Sequence, residues 1–359
     1  MRIKSVGWGF GICNMNCKHC YGASGASAPE YTFRELQAIA DKICHTIQDI
    51  NYGTGEFAFN PNAVALAEYI KDRFPHIKQA VTSNGATPIF MRPDLVKKLF
   101  HDIDISLDFA DPERHKDFRQ HPLAWKWVEE SLALCRDLEI ERSIVSCITS
   151  QTTDDIIKEL LEFSAKHGAT WRTNWFRKTG RGKSYLEITP QRFWEIIVLL
   201  AKESAEFVSL SDPLLASILG RPDKNPTKGC PCGELSCRIQ TDLTVTPCVY
   251  LKGKKWSGGS IQEKTLEEIY HSEKFEALRN RYPAVCRDCK FGETCRGGCA
   301  SRAYLHTGSL DNPDNYCPIV AGMDVEELVE TIQPKALTIT PGTDLVHDGY
   351  LCTMIIKQK

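Results

Sequence analysis

The sequence predicts an α/β fold in which a parallel sheet precedes a small, loop-rich domain that folds around metal. Two observations predict it: short β-rich runs alternate with helical patterns over the first half of the chain, and the cysteines cluster at its two ends. The chain has 359 residues, of which 16 are cysteine, 25% charged and 42% hydrophobic, with a net charge of -2. This balance excludes fibrous, disordered and membrane-spanning proteins, and it gives no support to nucleic-acid binding.

Six strand–helix units justify the parallel sheet. The predicted strands are Ile3–Gly9, Asn51–Phe57, Lys78–Ser83, Asp102–Phe109, Arg142–Thr149 and Thr170–Arg177. The predicted helices between them are Phe33–Gln48, Ala63–Arg73, Arg92–Phe100, Leu123–Leu138 and Thr153–His167. Such an order favours an open doubly wound sheet or a barrel, and in both folds ligands bind at the carboxyl ends of the strands.

The pattern changes after residue 182. An apolar helix at Pro190–Glu203 and a short one at Leu214–Leu219, capped by Asp212, lead to a Pro- and Gly-containing connector at 221–229. Beyond it we expect a hairpin at Ile239–Thr246 and a helix near Leu266–Asn280. The sequence therefore divides into a sheet domain (1–185), bridging helices and linker (186–229), a cysteine domain (230–320) and a tail (321–359).

The cysteines are expected to bind metal rather than to form disulfides. The N-terminus lacks the apolar stretch of a secretory signal, and the longest apolar run, Ile196–Ala201, is far too short to span a bilayer. The predicted location is the cytoplasm, where clustered thiols are metal ligands or redox groups more often than disulfides.

Cys13, Cys17 and Cys20 follow the first strand with the spacing C-x3-C-x2-C. Three thiolates can hold three irons of a [4Fe-4S] cubane, which leaves one iron open to a substrate or cofactor. A zinc site completed by His19 or by a distant ligand is the alternative.

The segment Cys13–Cys20 followed by Tyr21 resembles the signature of the radical S-adenosylmethionine (SAM) superfamily. The resemblance implies a partial (β/α)6 TIM-like barrel, SAM chelated by the open iron, and cleavage of SAM to a 5′-deoxyadenosyl radical that abstracts a hydrogen from a substrate. Gly180–Gly182 resembles the Gly-Arg-Gly segment that follows the adenine-contacting strand of the family.

Other strand ends resemble SAM-contacting motifs of the same superfamily. Gly53–Glu56 is similar to a Gly-Gly-Glu motif, with Thr54 in place of its first glycine. Ser106–Asp108 is similar to a Ser-Leu-Asp-Gly segment, and His115–Arg119 to a downstream His-x3-Arg motif. The residues that the resemblance implies for SAM binding are Gly53, Thr54, Gly55, Glu56, Ser83, Asn84, Ser106, Asp108 and Arg119.

The C-terminal cysteines resemble those of the SPASM domain, which holds two auxiliary [4Fe-4S] clusters in radical SAM enzymes. The resemblance implies that Cys286, Cys289, Cys295 and Cys317 bind auxiliary cluster II and that Cys299 joins Cys248 at auxiliary cluster I. Two of Cys230, Cys232 and Cys237 complete the second set, and we select Cys232 and Cys237 because the single-residue spacing of Cys230 and Cys232 is awkward. The thiol left over is an ordinary one or a ligand that exchanges.

Two zinc knuckles are the structural alternative for this domain. Cys44, Cys135, Cys147 and Cys352 have no partners at ligand spacing, and core packing explains them best.

The resemblance implies an enzyme with three [4Fe-4S] clusters and SAM that modifies a peptide or protein side chain by a two-electron oxidation, in the manner of ribosomal-peptide maturases. Formylglycine formation in a sulfatase and dehydrogenation of a small molecule are the enzymatic alternatives, and a non-catalytic iron–sulfur electron-transfer or scaffold protein is the alternative from another class.

Expected partners are a precursor peptide, a flavodoxin or ferredoxin as electron donor, and a separate peptide-recognition protein, with neither nucleic acid nor membrane. Because only 12 residues precede Cys13, no N-terminal recognition domain is expected.

No substrate acid or base emerges from the sequence. Arg172, Arg177, Tyr185 and Asp111 lie near predicted strand ends, where solvated surface charge explains them equally well. In the tail, the run from Glu326 predicts the start of a helix and Leu337–Thr340 a short strand.

Overall fold

The computed structural model describes residues 1–203, 205–219, 228–336, 345–347 and 353–358, which form one mixed sheet surrounded by helices. The strands are β1 (Ser5–Trp8), β2 (Asp49–Tyr52), β3 (Lys78–Ser83), β4 (Asp102–Ser106), β5 (Glu141–Ile148), β6 (Thr170–Trp175), β7 (Ala205–Leu210), β8 (Ser236–Ile239), β9 (Thr244–Thr246), β10 (Gly259–Ser260) and β11 (Thr353–Gln358). The helices are α1 (Phe33–Ile43), α2 (Pro61–Arg73), α3 (Ala86–Phe90), α4 (Pro93–Leu99), α5 (Pro112–Arg119), α6 (Ala124–Asp137), α7 (Asp154–Lys166), α8 (Pro190–Lys202), α9 (Pro213–Ile218), α10 (Leu266–Tyr270), α11 (Glu273–Arg279), α12 (Gly292–Cys295), α13 (Ala300–Thr307) and α14 (Val325–Ala336).

The predicted parallel sheet is confirmed. The strand order is β10-β9-β8-β1-β2-β3-β4-β5-β6-β11-β7, and β1 to β6 pair in parallel in sequence order. The sheet is not closed among the described strands, which agrees with a partial barrel. All six carboxyl ends therefore lie along one edge, where the sequence places its motifs.

Strands from the predicted linker, cysteine domain and tail join this sheet. β8 pairs in parallel with β1, and β9 continues from it as the predicted hairpin. On the other side β11 lies antiparallel between β6 and β7. Strands from all four predicted segments therefore share one hydrogen-bonded sheet.

Most of the predicted helices have the signals expected at their ends. Thr153 caps α7 by accepting from Ile156 N, and Asp212 caps α9 by accepting from Leu214 N. The single helix predicted at Leu266–Asn280 is wrong, since α10 ends at Tyr270 and α11 begins at Glu273. The predicted strand at Leu337–Thr340 and most of the predicted connector lie outside the described residues.

The hydrophobic core lies between the sheet and the outer helices. Strand residues such as Ile103 and Ile105 of β4 are fully buried against helix residues such as Leu132. Cys44 and Cys135 lie in this core, as predicted, whereas Cys352 lies outside the described residues. No helix in the described part of the chain is long and apolar enough to cross a membrane.

The inner face of the barrel is polar, and the C-terminal segment supplies part of it. His347 is fully buried and contacts Asp102 and Asp104 of β4, while its Nε2 lies 3.2 Å from Oγ1 of Thr82. Arg172 forms a buried ion pair with Asp104. The tail therefore completes the interior of the barrel below the carboxyl edge.

Candidate active site

The first cysteine loop lies directly beyond β1 at the carboxyl edge. Cys13, Cys17 and Cys20 all line one cavity of about 880 Å³, a volume that includes its open mouth. Burial raises the pKa of the Cys13 thiol to about 12, so this side chain is protonated until a metal replaces the proton. The donor chemistry and the shared cavity fit the iron–sulfur cluster that the spacing predicts.

Glu56 fixes the loop after β2 to the loop after β3. Its carboxylate accepts hydrogen bonds from Ser83 Oγ (2.6 Å), Asn84 N (2.8 Å) and Thr87 N (2.7 Å). The backbone N–H of Glu56 donates to the carbonyl of Ile12, next to the first cluster thiol. One buried carboxylate thus holds two strand-end motifs against the cysteine loop.

Gly55 allows this close approach. Its φ is +95°, and a Cβ atom at this position would lie 2.5 Å from the carbonyl oxygen of Ile12. Any larger residue would push the Glu56 loop away from the cysteine loop.

Asp108 and Arg119 meet under the cysteine loop. Arg119 Nε donates to Asp108 Oδ2 over 2.7 Å, and Asp108 Oδ1 accepts from Cys147 N. Burial raises the pKa of Cys17, and the charge and hydrogen bond of Arg119 oppose this rise.

His19 lies on the cavity wall with its ring stacked on Phe118 at 4.5 Å. Burial lowers the pKa of His19 to about 4, so its imidazole is neutral near pH 7. Among the residues that the structure describes, no three His, Cys, Asp or Glu side chains are placed to hold a single metal ion.

The predicted Gly-Arg-Gly segment packs on the cysteine loop. Arg181 N donates to Cys20 O over 2.9 Å, and its guanidinium donates to Cys17 O and Ser24 O. Gly180 has a φ of +63°, and a Cβ there would lie 2.2 Å from Cys20 O. The segment therefore holds the end of the cysteine loop at Cys17 and Cys20, whereas Glu56 holds its start at Ile12.

Seven of the nine residues predicted to bind SAM line the cavity: Thr54, Gly55, Glu56, Ser83, Asn84, Ser106 and Arg119. Gly53 lies next to this set without lining the cavity, and Asp108 acts through Arg119. The structure thus brings the strand-end motifs together with the three cluster thiols, while their contacts with SAM remain a prediction.

The cavity is also lined by residues that the sequence assigned to packing or to the surface, or did not single out. Cys147, Asn174, Arg177 and Tyr250 line it together with Trp175. Cys147 packs against the core, as predicted, but also faces the cavity. The alternation of side chains along β5 is a signal for this, because Val145 and Cys147 share the inward face.

The remaining candidates near strand ends lie in different surroundings. Arg172 and Arg177 are 1% and 5% exposed, so they are buried rather than solvated. Tyr185 is 61% exposed, and Asp111 caps α5 by accepting from Arg114 N.

The four thiols predicted for auxiliary cluster II lie together. Cys286, Cys289, Cys295 and Cys317 line a second cavity of about 340 Å³, beside Leu214 and Phe291. Burial raises the pKa of Cys295 to about 12, and the nearby thiols Cys317 and Cys286 act in the same direction. Four convergent thiols are the donor set that a [4Fe-4S] cluster requires.

The thiols around Cys248 differ from the predicted set. Cys232 is hydrogen-bonded to both Cys230 and Cys248. Cys248 in turn lies close enough to Cys299 for the two thiols to interact electrostatically. Cys237 instead lies in β8, opposite Val6 of β1, and belongs to the main hydrophobic core. The structure therefore gathers Cys230 rather than Cys237 with Cys232, Cys248 and Cys299.

A buried ion-pair network positions Cys299. Asp314 Oδ2 accepts from Cys299 N over 2.8 Å, and the Asp314 carboxylate also accepts from Arg302 Nε at 2.9 Å. Arg302 binds Asp212, the cap of α9, on its other side. The network connects the bridging helices to the cysteine domain at the point where the two thiol sets meet.

Comparison with known proteins identifies two families in the sequence. Residues 9–164 match the radical SAM superfamily, and residues 230–290 match SPASM, an iron–sulfur cluster-binding domain.

Individual relatives agree with this match. The chain is 27% identical over 334 residues to the AdoMet-dependent heme synthase of Methanosarcina barkeri, with 85% of this chain and 93% of that protein covered. It is 25% identical over 337 residues to the mycofactocin maturase MftC of Mycolicibacterium smegmatis, with 90% of this chain and 84% of that protein covered.

Among solved structures, native anSMEcpe with bound AdoMet and the Kp18Cys peptide has the same fold, with a TM-score of 0.68 and 18% identity. The similarity covers 92% of this chain and 97% of that one. With the cysteine loop at the carboxyl edge of a partial barrel and a second thiol-rich segment in the same sheet, residues 9–164 belong to the radical SAM superfamily and residues 230–290 to the SPASM family of iron–sulfur cluster-binding domains.

Proposed function

We propose that this enzyme oxidises a peptide or protein side chain by two electrons, using SAM and three [4Fe-4S] clusters. One observation carries the proposal. The thiols of the first cluster and Arg177 line the same cavity, and Arg177 contacts Cys299 of the second thiol set. A substrate in this cavity would therefore be close both to a site that removes a hydrogen atom and to a site that accepts an electron.

The proposed ligands of the first cluster are Cys13, Cys17 and Cys20. When bound, the cluster and SAM supply a 5′-deoxyadenosyl radical that abstracts a hydrogen atom. The residues of the chain orient these groups: Glu56 holds the loops after β2 and β3 in place, and Arg119 stabilises negative charge at Cys17. The buried walls around them restrict the access of water to the reacting groups.

For auxiliary cluster I we propose Cys230, Cys232, Cys248 and Cys299, and for auxiliary cluster II Cys286, Cys289, Cys295 and Cys317. We assign Cys230 rather than Cys237 to auxiliary cluster I because Cys230 is hydrogen-bonded to Cys232. Cys237 then becomes the surplus thiol, which packs in the core opposite Val6. A flavodoxin or ferredoxin as reductant remains part of the proposal, as does a separate peptide-recognition protein.

A peptide substrate is supported by the relatives. MftC is a maturase by name, and the solved structure of anSMEcpe holds AdoMet and a peptide together. The chain covers 84% of MftC.

The AdoMet-dependent heme synthase of M. barkeri favours a second candidate, the synthesis of heme, an iron tetrapyrrole. The chain covers 93% of that relative at 27% identity. The two candidates share the SAM site and differ in what the open mouth of the cavity admits.

Mass spectrometry after anaerobic turnover tests the proposal. The reconstituted enzyme is incubated with SAM, a reductant and either a peptide library or an iron tetrapyrrole precursor. We expect a peptide that has lost two hydrogens. Its amount should rise in proportion to the amount of 5′-deoxyadenosine formed. Products from the tetrapyrrole alone would replace the peptide proposal by the second candidate, and 5′-deoxyadenosine formation that neither substrate changes would contradict both.

A further inference from the structure

Arg177 lies at the boundary between the cavity and auxiliary cluster I. It is 5% exposed and lines the cavity wall. Its Nη1 donates to the carbonyl of Trp175 over 2.9 Å, its Nη2 lies 3.4 Å from Cys299 Sγ, and its guanidinium carbon lies 4.2 Å from the centre of the Tyr250 ring. A carbonyl, a sulfur and an aromatic face together fix the orientation of the guanidinium.

This geometry directs a positive charge at a proposed cluster ligand. A hydrogen bond to a ligating sulfur and a nearby cation both stabilise the reduced, more negative state of an iron–sulfur cluster. The effect is strong at a buried position because water screens the charge poorly there.

The second arginine near Cys299 does not duplicate this effect. Arg302 is paired with both Asp212 and Asp314, so these carboxyl groups offset its charge. Asp314 Oδ2 accepts from the backbone N–H of Cys299, whereas Arg177 Nη2 contacts the Cys299 sulfur itself. The two arginines therefore act on the ligand through different atoms, and the charge directed at the sulfur is that of Arg177.

We propose that Arg177 is a positioning residue that raises the reduction potential of auxiliary cluster I through the Cys299 thiolate. The inference rests on the proposed function, because it requires a cluster at Cys230, Cys232, Cys248 and Cys299. It goes further by giving one cavity residue a part in how readily that cluster accepts an electron, alongside Ser301, whose Oγ lies 3.2 Å from the same sulfur.

Potentiometric titration monitored by electron paramagnetic resonance tests this inference on the full chain, anaerobically reconstituted. The variants are Arg177→Gln, which removes the charge, and Arg177→Lys, which retains it without the planar fork. Arg114→Gln is the matched control, since Arg114 also stacks on a ring, that of Phe109, at 4.8 Å. We expect Arg177→Gln to shift one auxiliary midpoint potential to more negative values, Arg177→Lys to shift the same one less, and Arg114→Gln to shift none.

Unchanged potentials in an Arg177→Gln protein with the iron content of the wild type would overturn the inference and leave the proposed function intact. If Arg177→Gln loses iron, Arg177→Lys decides: a negative shift confined to one auxiliary cluster supports the inference, and unchanged potentials overturn it. A wild-type protein without any auxiliary-cluster signal would overturn both this inference and the proposed ligand sets.

Discussion

Arg119 donates a hydrogen bond to Asp108 over 2.7 Å, and the two side chains are 10% and 1% exposed. Asp108 comes directly after β4 and Arg119 ends α5. The pair thus joins two consecutive elements beneath the cysteine loop and places a guanidinium beside Cys17.

Asp108→Asn should destabilise the protein strongly. The variant keeps the shape of the side chain but leaves the Arg119 charge buried without its carboxylate, which typically costs about 3–5 kcal/mol. Urea unfolding of the reconstituted protein under anaerobic conditions measures the loss. Asp117→Asn is the control, because Asp117 pairs with Lys18 on the surface, and a similarly small effect for both variants would contradict the role given to the buried pair.

Glu56→Gln should weaken SAM binding about tenfold, because it breaks hydrogen bonds that contribute roughly 0.5–1.5 kcal/mol each and hold the loops after β2 and β3 together. A glutamine also places an N–H group where Ser83, Asn84 and Thr87 donate. Equilibrium dialysis with labelled SAM measures the affinity. The control is Glu113→Gln, an exposed residue of α5 paired with Lys116, and equal SAM affinities for the two variants would show that Glu56 has no part in the site.

Asp49 should make stability fall as the pH rises from about 4 to about 7. Burial raises the pKa of this carboxyl to about 7; Ser5 and His347 oppose the rise and Asp102 adds to it. The folded state then binds a proton that the unfolded state has already released, so stability is highest at low pH and this contribution is lost as the pH approaches 7.

Asp49→Asn should remove this component and be more stable than the wild type at pH 8. Urea unfolding at several pH values between 4 and 8, compared with the exposed-site variant Asp137→Asn, checks the slope, which should flatten above pH 7. A wild-type stability that rises over this range, with the same rise in Asp49→Asn, would be the opposite of the expected result.

Cys230→Ser should lower the iron content, whereas Cys237→Ser should leave it near the ~12 irons of three cubanes. The reason is that Cys230 contacts Cys232, while Cys237 packs in the core. Iron and sulfide analysis of the two reconstituted variants compares them directly. If Cys237→Ser loses iron and Cys230→Ser does not, the ligand of auxiliary cluster I is Cys237, as predicted from the spacing of the cysteines, and not Cys230.

The sequence alone was sufficient to place a motif or a helix end where a signal local in the chain agrees with the assembled fold. Parallel strands bring their carboxyl ends to one edge, so motifs such as Glu56 and Asn84 could be placed together from their order alone. Capping residues such as Thr153 also marked helix ends correctly.

Spacing alone could not show on which side of a strand a cysteine lies. Cys237 has acceptable spacing for a ligand, but the pairing of β8 with β1 sets it opposite Val6, in the core. Arg177 was missed as a cavity residue because its contact with Cys299 joins residues 122 positions apart. β11 was missed because its partners, β6 and β7, are distant in sequence and only the assembled sheet brings them together.

The most direct test of the central claim is the cleavage of SAM by the reconstituted enzyme under a strong reductant, measured as 5′-deoxyadenosine. The wild type should form it, and the Cys13/Cys17/Cys20→Ala variant should form none while retaining the iron of two auxiliary clusters. A fully loaded wild type that leaves SAM intact, or a triple variant that cleaves it equally well, would contradict the assignment of the cavity as the SAM site.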